Sequence, residues 1–236
     1  SGDFKVLKYN NAKEVEIQFL KTGFETTVQL VHIKSGNVKD PYLPSVCGVG
    51  ILGAKYPITI NGILTKEYTL WCSMLKRCYS NAYKKRQPTY EGCEVSNNFK
   101  SYEYFYEWCN KQVGFNNKDW QLDKDLLTKG NKVYNENVCV FLPQEINLMP
   151  IKCTASRGKH LIGVSWNNAS KAFVAQVRKN KGKSEHLGCF KTEIEAFNAY
   201  KEAKESFIKE QAEKWKSQID IRAYNALMNY QVEITD

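Results

Sequence analysis

Between Lys152 and Lys191 nine lysines and arginines stand against a single acid, Glu185. Such side chains bind polyanions: lysine meets phosphate as a point charge, and arginine pairs bidentately with guanine as glutamine does with adenine. Spacing adds to type. In Lys171-Ala-Phe-Val-Ala-Gln-Val-Arg178 a two-residue period puts Phe173, Ala175 and Val177 on one face of a strand and Val174, Gln176 and Arg178 on the other. The first set suits packing; the second leaves a polar, basic surface for an anion. An ordinary soluble hairpin is the alternative for Arg178 and the turn Lys179-Asn-Lys-Gly-Lys183.

Positioning that face requires two further strands and a cover. Gly163-Val-Ser-Trp166 supplies one strand and Glu185-His-Leu-Gly-Cys-Phe190 the other. Thr192 opens a helix over Glu193–Ala203, with Glu195 completing a capping box, and Ile194, Phe197, Ala199, Tyr200 and Ala203 share one side of it. The G-V-x-W start, the L-G-x-F element and the E-A-F-x-A-Y helix resemble the ethylene-response-factor (APETALA-like) DNA-binding domain over residues 160–204. The resemblance implies a sheet laid against duplex DNA, with contacts from Ser165, Trp166, Gln176, Arg178, Ser184 and His186. The basic residues Lys171, Lys181 and Lys183 join that set by charge. Plant members carry arginines at several of these places where this chain has Ser165 and Ser184, so base preference does not transfer. Trp166 as a core residue and His186 as an ordinary surface residue stand as the alternatives.

A second stretch reads as strand, polar loop, strand and helix: Trp120–Leu127, Thr128–Asn137, Val138–Leu142 and Pro143–Met149, with Pro143 expected as the first helical residue. Preceded by a helix carrying Tyr68, Trp71, Cys72, Leu75 and Cys78 on one face, this order resembles the HNH nuclease-like proteins common in phage genomes, over residues 56–150. The resemblance implies Asp123 as a metal-binding acid, Asn137 as the hairpin asparagine and Asn147 as a helix ligand for Mg or Mn. Lys124 falls where the family's general-base histidine belongs. A lysine in water holds its proton near neutral pH, so it serves as a base only if strongly desolvated, unless Asp125 or a metal-bound water replaces it. The chain's three histidines, His32, His160 and His186, all lie outside this motif. Loss of cleavage with retention of DNA binding is therefore the expected state, and a working metal-dependent endonuclease the alternative.

The rest of the chain frames these stretches. Residues 1–55 alternate β-type runs, Phe4–Tyr9, Val15–Phe19 and Thr26–Ile33, with turn signals such as Asn10-Asn11, and read as a small β-barrel or meander. That module has two readings: an interaction surface, including one for a host protein, or a scaffold that packs on the next domain. Residues 45–66 pass through a β-hairpin, and Tyr102, Phe105, Tyr106, Trp108 and Cys109 indicate a second helix. Lys84-Lys85-Arg86 is a basic loop able to touch phosphate or simply to be solvated. Past Trp215, Ile219, Ile221, Tyr224, Leu227 and Met228 recur at helical intervals before a strand-like Tyr230–Asp236, a tail over 216–236 expected to return to an earlier domain or a second subunit.

Eight cysteines without a C-x-x-C pair fit reduced, partly buried thiols. A structural zinc held by Cys78, Cys93 and Cys139 is the less favoured alternative to core packing. No long apolar run and no signal-peptide pattern occur, so no membrane partner and a cytoplasmic location are expected. The formal net charge of +9 favours a polyanion. Together these features predict an α+β protein with modules at 1–55, 56–150 and 157–215. Its expected partner is double-stranded DNA, and binding requires no cofactor.

Overall fold

The computed structural model describes residues 2–149, 159–179 and 184–236. The chain opens with an antiparallel meander of β1 (Phe4–Asn11), β2 (Glu14–Phe19) and β3 (Glu25–Val28), an open sheet in the order β1-β2-β3. The first turn falls two residues later than Asn10-Asn11 suggests, because the Asn11 side chain accepts from Lys13 N at 2.8 Å and sets the turn at Ala12-Lys13. The strand expected over Thr26–Ile33 stops at Val28 and gives way to α1 (Leu30–Lys34). One helical turn brings both Leu30 and Ile33 onto the core of Val15, Ile17, Phe19 and Val38, whereas a strand would point them apart.

The expected hairpin is β4 (Thr59–Ile60) with β5 (Ile63–Leu64), turned by Asn61 and Gly62, both at positive φ. Thr65 then caps α2 (Lys66–Tyr79), accepting from Tyr68 N at 3.2 Å. Next come α3 (Asn81–Arg86), the strand β6 (Glu94–Val95), α4 (Asn97–Lys100) and α5 (Tyr102–Asn110). The apolar stripe of α2 meets α5, with Trp71 packed at 5.4 Å from the Tyr102 ring and its indole N–H donating to Phe99 O at 2.8 Å.

Beyond α5 lie β7 (Gln121–Asp123), β8 (Val133–Tyr134), β9 (Val140–Leu142) and α6 (Gln144–Asn147). β7 and β9 pair antiparallel, while β8 pairs in parallel with β6. Pro143 precedes the helix as its cap rather than opening it: its ψ of 147° still belongs to the extended chain leaving β9. The last part is a sheet of β10 (Val164–Asn167), β11 (Ala172–Arg178) and β12 (Ser184–Phe190), then α7 (Glu193–Trp215) and α8 (Ile221–Met228).

The capping box at Thr192 and Glu195 is present, but α7 runs to Trp215, well past Ala203. The apolar spacing continues through Phe207, Ile208 and Ala212, which enter a second core with Val140, Leu142, Ile146, Ala223 and Leu227. The tail thus returns to the β9–α6 elements of its own chain. Tyr230–Asp236 forms no strand. Side chains of α7 take its backbone groups instead: Glu205 accepts from Val232 N and Lys201 donates to Val232 O, each at 2.8 Å.

The fold is α+β. Its residues form two compact units, 1–111 with 132–137 and 112–131 with 138–236. No helix among the described residues is long and apolar enough to cross a membrane.

Candidate nucleic-acid interface

In the β10–β12 sheet α7 covers one side. Val177, Phe197, Tyr200 and Val232 form the core there, with Val164 and Leu187 packed against it. Gly163 makes this closure possible. Its φ is +76°, and a Cβ at that position would meet the Tyr200 ring at 2.0 Å, so only glycine allows the helix so close to the start of β10.

The register fixes what the other side shows. Ser165 lies opposite Val174 and Val174 opposite Cys189; Gln176 pairs with His186 and Arg178 with Ser184. Directly opposed residues share a face. A bulge between Ala175 and Gln176 places one extra residue in β12, and it lets Leu187 turn toward the helix while His186 and Ser184 stay outward. Ser165, Gln176, Arg178, Ser184 and His186 are exposed, and Val174 is buried among them. Among the described residues none of those five side chains has a hydrogen-bond or ion-pair partner. The predicted division of β11 into an apolar and a polar face is therefore present, except that Val174 is buried.

Four members of the expected contact set stand apart. Trp166 pairs with Phe173, which places it on the helix side; it packs edge-on against that ring at 4.9 Å and donates to Asn168 Oδ1 at 3.0 Å. It is 43% exposed, so the core alternative fails too; it is a half-open aromatic at the sheet's end. Lys171 is exposed in the β10–β11 turn at φ +46°. Lys181 and Lys183 lie outside the described residues. Lys179 is neutralised by Glu185 at 2.8 Å on the helix side, so among the described residues of the three strands Arg178 is the cation on the open face.

The nuclease-like set divides differently. Asn137 belongs to the first unit, and Asp123, Lys124 and Asn147 to the second. Asp123 and Asn147 both line a cleft of about 640 Å³, together with Asp125, Lys129, Tyr230 and Glu233. Asp123 ends β7, and its Oδ1 accepts from Asp125 N at 3.0 Å and Leu126 N at 2.7 Å. Burial pushes its carboxyl above the usual carboxylate range despite those two bonds, and the neighbouring Asp125 adds to the rise. Asn147 donates to Gln121 Oε1 at 2.7 Å.

Lys124 is only 6% exposed. It donates to Asp125 Oδ1 at 2.5 Å and to Asn131 O at 2.8 Å, while the Asn131 amide donates back to Lys124 O. It is a pin for the 124–131 loop. A divalent cation seeks ionised oxygen donors. Here Asp125 is engaged by Lys124 and Glu233 by Lys129 at 3.2 Å, and both backbone N–H groups of Asp125 and Leu126 already bond to Asp123 Oδ1. As arranged, these residues do not fit a catalytic metal. Cys78 and Cys93 are buried in the first unit and Cys139 in the second, and no group of three metal-binding side chains occurs among the described residues.

The tail residues Tyr230 and Glu233, absent from the sequence-derived site, form part of the cleft wall, and Lys129 fastens them through Glu233 and Asp236. The helical spacing after Trp215 signalled that this tail packs, but not where. No protein-family model matches the chain, and no curated protein and no solved structure matches it.

Proposed function

We propose that the chain binds double-stranded DNA through the open face of β10–β12, as a phage or mobile-element protein acting in the host cytoplasm. The observation that carries this reading is the outward set Ser165, Gln176, Arg178, Ser184 and His186, exposed and unpartnered among the described residues, on a sheet whose reverse is closed by α7. A sheet of this width enters a major groove, and arginine with glutamine can read base edges there. Serines in place of further arginines suit a moderately specific or sequence-tolerant contact. Binding without cleavage is the form that the Asp123 cleft favours, because its donors do not fit a metal.

Fluorescence anisotropy with a labelled duplex tests this reading. Arg178→Ala should weaken binding roughly 5- to 100-fold, the range for one arginine contact. Affinity should fall steeply with added salt as condensed counterions are released. Unchanged affinity in Arg178→Ala, or binding indifferent to salt, would count against the sheet as the contact surface.

A second reading, recognition of a host protein by the first three strands, is favoured by β1. This strand lies at the edge of its sheet with Val6, Leu7 and Tyr9 exposed, and such an edge can accept a partner strand. Recovery of a stoichiometric protein partner from nuclease-treated host lysate would support it. Failure to recover one would leave DNA as the partner.

A further inference from the structure

From Lys76 to Tyr90 the chain carries five basic residues, Lys76, Arg77, Lys84, Lys85 and Arg86, and no acid. Solvated helical surfaces usually mix both signs, as α7 does with its Lys201–Glu205 pair. This stretch forms the end of α2, the short helix α3 and a 3-10 turn at Pro88–Tyr90. Ser80 both ends α2 and caps α3, its side chain accepting from Tyr83 N at 3.3 Å, so the basic helix is held at a fixed bend.

Aromatic rings rather than carboxylates organise the charge. Tyr83 and Tyr90 meet edge to face at 5.7 Å. The Arg77 guanidinium lies 5.6 Å from the Tyr90 ring centre and that of Arg86 lies 5.8 Å from Tyr83. A ring face orients a guanidinium but leaves its positive charge uncancelled. Arg77 has one long bond to Tyr134 Oη at 3.5 Å, and its buried Nε has no acceptor among the described residues. Lys84 reaches Glu91 only at 4.0 Å. Lys85 and Arg86 are exposed and have no ion-pair partner among the described residues. Lys132 donates to Thr89 O at 2.8 Å and brings one more cation to the same turn.

We infer that α3 and the Tyr83–Tyr90 pair form a second DNA-contact surface, which meets the phosphate backbone without reading bases. Charge complementarity identifies the occupant: uncompensated guanidinium and ammonium groups on a rigid aromatic support match a polyphosphate chain. The inference rests on DNA being the partner of the β10–β12 sheet, but it places this contact in the other unit of the chain.

The test compares wild-type full chain, Arg178→Ala and the double variant Lys85→Gln/Arg86→Gln, each titrated with one labelled duplex over a salt series. Both substituted α3 side chains are exposed, so the fold should persist, and circular dichroism checks this. The double variant should lower the slope of log affinity against log salt by about 2, near 0.9 per lost phosphate contact. Its affinity should drop equally for duplexes of unrelated sequence. Loss in both variants supports both surfaces. Loss in the double variant alone supports α3 and removes the sheet. Loss in Arg178→Ala alone, with an unaltered slope in the double variant, overturns the α3 surface and keeps the sheet. A wild-type chain that binds no duplex overturns both.

Discussion

Lys124 shows how one side chain changes meaning between sequence and fold. In sequence it occupies the place of a base; in the structure it is buried and committed to Asp125 and to the Asn131 carbonyl. Removing it deletes charged hydrogen bonds to Asp125 and to the Asn131 carbonyl, and a hydrogen bond from a charged donor contributes about 1.5–3 kcal/mol. Lys124→Ala should therefore lower the urea midpoint clearly while DNA affinity at the sheet stays at the wild-type level. An unmoved midpoint would show that the pin is dispensable. Trp166 teaches the reverse lesson. The resemblance implied a DNA contact for it, yet the cross-strand pairing with Phe173 decides its side, and pairing is invisible until the register is known. Gln176 and Arg178 were legible because strand period alone places them on one face.

At the scale of elements, the sheet and its helix were largely readable, since Thr192, Glu195 and the apolar spacing after them are local signals. The length of α7 was not. Its second half is specified by a core whose other members, Val140 and Ile146, lie far away in sequence. Two substitutions probe this part. Gly163→Ala places a methyl group in the Tyr200 ring at a left-handed backbone position, and it should cost on the order of 3 kcal/mol from backbone strain and overpacking together. It should also weaken DNA binding by tilting β10. Asp220 caps α8, accepting from Arg222 N at 2.8 Å, and Asp220→Ala should cost about 1 kcal/mol in urea denaturation. Full wild-type stability in either variant would show that the named contact does not hold its helix.

For the molecule as a whole, acid should act mainly through carboxylates held below their ordinary values. In Glu107 and Glu213 the first cause is a hydrogen bond, from Lys55 and Tyr224 respectively. In Glu136 and Asp220 burial pulls upward but is outweighed, by hydrogen bonds that include the Asn98 amide and by the Arg222 pair. Groups lowered in this way stabilise the fold above their ordinary values of 4.5 for glutamate and 3.8 for aspartate. That stabilisation is lost as pH falls through the lowered values. Asp123, raised by burial, has the opposite sign: its contribution is complete below 3.8 and disappears as pH rises through its raised value. With four groups on one side and one on the other, the urea midpoint should decline as pH drops below about 4.5. Glu136→Gln should shrink that decline, and an equal slope in the variant would sink the assignment.

The short segment 132–137 belongs to the first unit although the chain has already entered the second, so the path crosses between them three times. It carries β8, the partner of β6, and Glu136, which accepts from the Asn98 amide at 2.6 Å. The two units are nested along the gene rather than placed end to end. A single recombination crossover before residue 132 cannot hand the second unit to another protein without removing a strand from the first. The pair is therefore expected to be inherited together, and exchange of the β10–β12 sheet alone needs a crossover after residue 137, inside what the second unit uses as its own core.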